Sequence, residues 1–245
     1  MNDKNPDTLN LTSSPSTLDR VSFYASLLMI VSTIITFGFA LIAIPISGAN
    51  CPENCATYPY LNTAKQYPRD FLWMMLAIVL VLTYVGLMTC LHAYAPVQRK
   101  AFTQTGVSFA IITATILLVT YYVQFAVVPV SLMNNETDGL PLLIQYNSHG
   151  VFIALEELGY IMMSLSFLFI APAFTSENRL SAWIRRIFIG AFAITAIAFV
   201  GITFSYGVNR LDRFEVIALS VDWLVLIVNG GLLATLFRRR LVKGA

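Results

Sequence analysis

Six apolar runs, each about as long as a bilayer core is thick, take up most of this chain and decide what it can become. They cover residues 22–44, 71–94, 102–128, 149–171, 187–206 and 214–237. A helix needs about 20 mostly apolar residues to cross the hydrocarbon. Proline closes several of the runs, at Pro45, Pro96, Pro129 and Pro172, because it lacks a backbone donor and disfavours helix in the residue before it. The chain is 57% hydrophobic and only 11% charged, where soluble domains carry about 25% charged residues. The expected fold is therefore all-α: a polytopic integral membrane protein built as a bundle of six transmembrane helices. No length remains for a large soluble catalytic domain.

Residues 1–20 are polar, with Ser13, Ser14, Pro15 and Ser16 together, and read as a disordered tail. The first apolar run begins late and is long enough to span, so it reads as a span and not as a cleaved leader. Residues 238–245 form a basic tail. With the N-terminus inside, eleven of the 15 Lys and Arg residues fall on the inner side and four, Lys65, Arg69, Arg210 and Arg213, fall outside. That asymmetry places both termini in the cytoplasm of a cell membrane. The stretch 130–144 contains no Lys or Arg, as an outer loop should.

This orientation puts Cys51 and Cys55 outside, where a disulfide is permitted; two free thiols are the alternative. Their Cys-x3-Cys spacing is not the redox Cys-x-x-Cys, and two ligands do not make a zinc site. Asn135-Glu136-Thr137 is a glycosylation sequon that matters only in a secretory-pathway host.

Chemistry is concentrated in the fourth run, where Glu156 and Glu157 interrupt an apolar segment. An ionised carboxylate near a span's centre costs roughly 2.5–3.5 kcal/mol. Gln145, His149, Glu156 and Tyr160 are spaced four, seven and four apart and share one helix face if the helix includes them all; Glu157 lies about 80° round from His149, and the spacing leaves open which of the two acids points inward. In the sixth run Glu215, Asp222 and Asn229 recur every seven residues, the register of a helix facing a bundle interior. Glu215 sits near the end of its run and reads as a waterside acid. Asp222 and Glu156 lie at similar depth, roughly 10–12 Å below the outer surface at 1.5 Å per residue. The third run brings Thr113, Thr120 and Gln124 to that depth with Tyr121 beside them, and the second adds Asp70, Trp73 and Tyr84. Together these outline a polar pocket in the outer half of the bundle.

No Lys or Arg lies inside a run, so Glu156, Glu157 and Asp222 are left with three options: protonation, a network of Tyr, Gln and His donors, or a bound cation or cationic ligand. The bland alternative is interhelical hydrogen-bond glue, averaging about 0.6 kcal/mol per group, and Gln124, Thr120, Tyr121 and Asn229 suit that role.

The only two histidines, His92 and His149, fall at opposite faces of a core about 30 Å thick, which argues against a multi-histidine metal or haem site. No lysine sits mid-span to carry a retinal, and catalytic elbows, phosphate loops and dinucleotide fingerprints are missing. No cofactor or metal is expected, and nucleic acid is an unsuitable partner for so few, scattered cations. The leading functional expectation is binding of a small or lipid-like ligand by the acids, with membrane lipids as partners and room for oligomers. A lipid-directed enzyme using paired carboxylates and a proton- or cation-coupled transporter are the alternatives, so whether the protein is an enzyme is left open.

Overall fold

The computed structural model describes residues 17–42, 46–175 and 178–243. Most of the tail expected over residues 1–20, the close of the first run at Pro45 and the last two residues of the basic tail lie outside these. Six long helices form: α1 (Thr17–Ile42), α2 (Leu72–Tyr94), α3 (Lys100–Ala126), α4 (Val151–Ile170), α5 (Arg179–Tyr206) and α6 (Arg213–Lys243). Each is long and apolar enough to cross a membrane. Among the described residues there is no strand.

Local chemistry explains most helix ends. Ala95 turns to an extended conformation before Pro96 and closes α2. Asn178 caps α5, its side-chain oxygen accepting from the Ser181 amide at 2.9 Å, a bond typical of N-caps. α5 thus starts at Arg179, ahead of the expected 187, because Ser181 and Ile184 turn inward while the arginines turn out. Arg238, Arg239 and Arg240 end the apolar run but not the helix, which continues to Lys243. Pro129 does not stop the third run. α3 ends at Ala126, and Pro129 sits in the first turn of a short helix, Val128–Asn134, where its missing donor costs nothing.

The helices pack in chain order, α1 on α2 through α5 on α6, and α6 closes the ring against α1. α4 also reaches across to α6. It is the most buried of the six, and α5 the least. The tightest seam joins α3 to α4. A Cβ on Gly106 would stand 3.0 Å from the Ile170 backbone nitrogen, and the bare glycine lets the Ser166 hydroxyl donate to the Gly106 carbonyl at 2.8 Å. Thr113 repeats the device on Gly159, donating to its carbonyl at 3.3 Å.

Polarity is arranged inside out. On α1, Ser22, Ser26, Thr33 and Thr36 are buried while Tyr24, Leu28, Val31 and Ile34 are exposed. Three of those hydroxyls satisfy themselves on the preceding turn, Ser26 on Ser22, Thr33 on Met29 and Thr36 on Ser32, each at 2.7 Å.

Residues 46–71 and 127–150 form a cap over one end of the bundle, at the start of α2, α4 and α6. Cys51 and Cys55 are joined by a disulfide there. The cap has its own small core of Val128, Leu140, Ile144 and Tyr146. It is tied to the bundle by Asp212, which accepts from the Ala49 amide at 2.8 Å.

Candidate functional site

Five residues into α4, Glu156 is buried at 1% exposure. Its carboxyl group meets that of Glu215, from the first turn of α6, and lies beside the Tyr121 hydroxyl of α3. One turn below Glu156, the Tyr160 hydroxyl bonds that of Tyr121 at 2.8 Å. One Glu156 oxygen, Oε1, has no hydrogen-bond partner among the described residues. Glu215 is thus not a waterside acid. It is buried beneath the cap, with Asp212 and Glu157 as further acidic neighbours.

Two turns further along α6, Asp222 is fully buried and neither of its oxygens has a partner among the described residues. The hydroxyls of Tyr160 and of Tyr84 on α2 are its polar neighbours, and the Tyr84 hydroxyl is likewise unpartnered. Aromatic rings wall this column. Trp73 meets Tyr121 edge-on at 5.4 Å and leans on Trp223 at 6.4 Å, and Tyr84 meets Phe167 at 6.0 Å.

Glu157 points elsewhere and does have a fixed cationic partner, contrary to the expectation from sequence. Arg210, from the turn between α5 and α6, bonds it and lies over the Phe199 ring at 5.7 Å. A cavity of about 200 Å³, bordered by Ser148, His149, Glu157 and Arg210, opens beside this pair. The cation escaped notice because it lies in a short turn after α5 and not within any apolar run.

The remaining candidates separate from the acids. α4 begins at Val151, after Gly150 in an extended conformation, so Gln145 and His149 belong to the cap and do not share a helix face with Glu156. Gln124 serves the cap: its amide nitrogen donates to the Leu143 carbonyl at 2.7 Å and its oxygen accepts from the Gln145 amide at 3.0 Å. Asn229 donates to the Ile184 carbonyl of α5 at 3.3 Å, near the far end of the bundle. Asp70 is buried apart from these acids, pairs with Arg69 at 2.7 Å and accepts from the Tyr146 hydroxyl at 3.2 Å. Burial, and next the Asp70 carboxylate, raise the pKa of that Tyr146 hydroxyl. At the opposite end, His92 Nδ1 meets the Thr103 hydroxyl at 2.8 Å.

Of the residues expected to form a pocket, Glu156, Tyr121, Tyr160, Asp222 and Tyr84 come together, joined by Glu215. The seven-residue spacing of Glu215 and Asp222 was the signal for the former. Among the described residues, no three His, Cys, Asp or Glu side chains are placed to hold a metal. Comparison with known proteins finds no matching family model, no matching curated protein and no matching solved structure.

Proposed function

We propose that this is a multi-pass protein of the cell membrane, with both ends cytoplasmic, that takes up a proton or a small monovalent cation between Glu156 and Glu215. The observation that carries the reading is the meeting of two carboxyl groups inside the bundle, with Arg210 already engaged by Glu157. Two such groups in contact in a low-dielectric interior do not both stay charged without a proton or cation between them. Buried hydroxyls and exposed apolar side chains support the membrane setting, and the eleven-to-four cation asymmetry supports the orientation.

The packing favours an ion-sized occupant over a lipid-like ligand, since Glu156 and Asp222 are almost fully buried among Tyr121, Tyr160 and Tyr84. A lipid-directed enzyme would need its substrate to reach the same enclosed carboxyls. Asp222, two turns deeper with both oxygens unpartnered, favours a second reading in which the ion passes inward and the protein is a coupled transporter.

The test is the thermal midpoint in lipid nanodiscs across a pH series in sodium, potassium or N-methylglucamine chloride. An ion that binds the native state raises the midpoint by mass action. Wild type is expected to respond to pH or to one cation where Glu156→Gln/Glu215→Gln does not. Superimposed curves for the two proteins would refute the site.

A further inference from the structure

The end of the bundle opposite the cap carries a second built feature. A cavity of about 340 Å³ lies between the end of α2, the start of α5 and the end of α6. Arg239, Arg240 and Lys243 border it together with Tyr94, Leu180 and Leu236, and Leu236 lies one turn before Arg239 and Arg240 on the same face of α6. The Arg240 guanidinium pairs with Asp19 at 2.7 Å and lies over the Tyr94 ring at 5.2 Å. Arg239 and Lys243 make no ion pair among the described residues. Close by on α5, Trp183 is 54% exposed and Arg186 stacks over it at 5.7 Å. An exposed Trp with a basic companion marks the headgroup level of a membrane. Along α6 the lining passes from Leu236 to Arg239, Arg240 and Lys243 at the helix end, an order that suits a ligand with hydrocarbon at one end and a phosphate at the other.

We infer that this cavity binds one phospholipid with an anionic head group, its phosphate held by Arg239 and Lys243 and its glycerol and upper acyl chain lying on Leu180, Leu236 and Tyr94. The inference uses the membrane setting but not the acid pair, so it survives failure of the ion site. Basic pockets at the cytoplasmic ends of helices recognise anionic head groups electrostatically, and the apolar lining residues distinguish a lipid from a free anion.

The experiment is native mass spectrometry of the detergent-solubilised full chain titrated with phosphatidylglycerol, with phosphatidylcholine, and with phosphatidylglycerol in the presence of excess inorganic phosphate. Wild type should retain one phosphatidylglycerol in preference to phosphatidylcholine and keep it in phosphate. Arg239→Gln/Lys243→Gln should bind it roughly 30-fold more weakly, as two cations at about 1 kcal/mol each imply. Both side chains are exposed, so the fold should be unaffected, which an unchanged thermal midpoint checks. Arg20→Gln/Arg238→Gln, which removes equal charge from the same end but not from this cavity, should keep the lipid. Equal retention of the two lipids by wild type overturns the inference, as does full retention by Arg239→Gln/Lys243→Gln or equal loss in the control. Displacement of the lipid by phosphate would identify an anion site instead and overturn the lipid assignment.

Discussion

Replacing Asp222 with leucine should make the protein more stable. The side chain is fully buried and both oxygens are unpartnered. Each unsatisfied buried polar atom costs about 1–3 kcal/mol. Leucine carries two methyl groups where aspartate carries two oxygens, so Asp222→Leu removes both penalties without opening a cavity. Its extra volume presses on Tyr160 and Tyr84, and overpacking of this kind costs about 1–3 kcal/mol. The balance is a net gain of about 2 kcal/mol. For a chain of this length that is a midpoint rise of about 4–8 °C, readable by tryptophan fluorescence during heating in nanodiscs. Asp222→Asn keeps the shape and an unsatisfied amide, and should fall between the two. If Asp222→Leu instead lowers the midpoint by a similar amount, the carboxylate holds the bundle together through a partner, and the assignment of a functional rather than structural acid fails.

Three further outcomes follow from the same geometry. Tyr146→Phe removes the hydroxyl that donates to Asp70 and should cost about 1–3 kcal/mol, as a bond to a charged acceptor does. Because the folded hydroxyl stays protonated where an unfolded tyrosine ionises near pH 10, its contribution is present below that pH and lost above it. Wild type should therefore lose midpoint more steeply than the phenylalanine variant between about pH 9 and pH 11. Gly106→Ala forces its new methyl against the α4 backbone at 3.0 Å; opening that seam and weakening the Ser166 bond should lower stability by about 1–3 kcal/mol, whereas Gly190→Ala, with nothing within 4 Å, should raise it slightly in thermal melts. Gln124→Leu leaves the Leu143 carbonyl and Gln145 amide without their partners, so amide exchange should accelerate over residues 140–147 of the cap, with the six long helices unchanged.

Six helices could be seen in the sequence because each long apolar run satisfies its own backbone and needs nothing from its neighbours. The starts of α4 and α5 were harder. An apolar run at 149–171 gives no sign that Gly150 stays extended, and the arginines ahead of 187 hide a helix whose inward side is Ser181 and Ile184. Glu156, Asp222, Tyr121 and Tyr160 could be found because polar residues at helical spacing inside apolar runs stand out. Gln124 looked the same by that criterion, yet its partners are backbone atoms of a loop that spacing does not locate.

Glu215 shows where depth counting fails. Counted from the start of its helix it lies about 3 Å in, at 1.5 Å per residue, and belongs at the water. Its burial comes from elements far away in the chain: α4 brings Glu156 against it, and the cap built from residues 46–71 and 127–150 stands above the helix starts. Asp212, three residues earlier on the same turn, shows the mechanism directly, since it spends its carboxylate on the Ala49 amide of the cap. The cap leaves a small opening beside Arg210. The Glu157–Arg210 pair lies at that opening, one residue from Glu156, so any ion entering there meets a charge pair before it meets the buried carboxyls. Arg210→Gln would strip Glu157 of its cation and add a third acid to the cluster. Its expected signature is a stronger cation dependence of the thermal midpoint than wild type shows, and a weaker one would place the entry elsewhere.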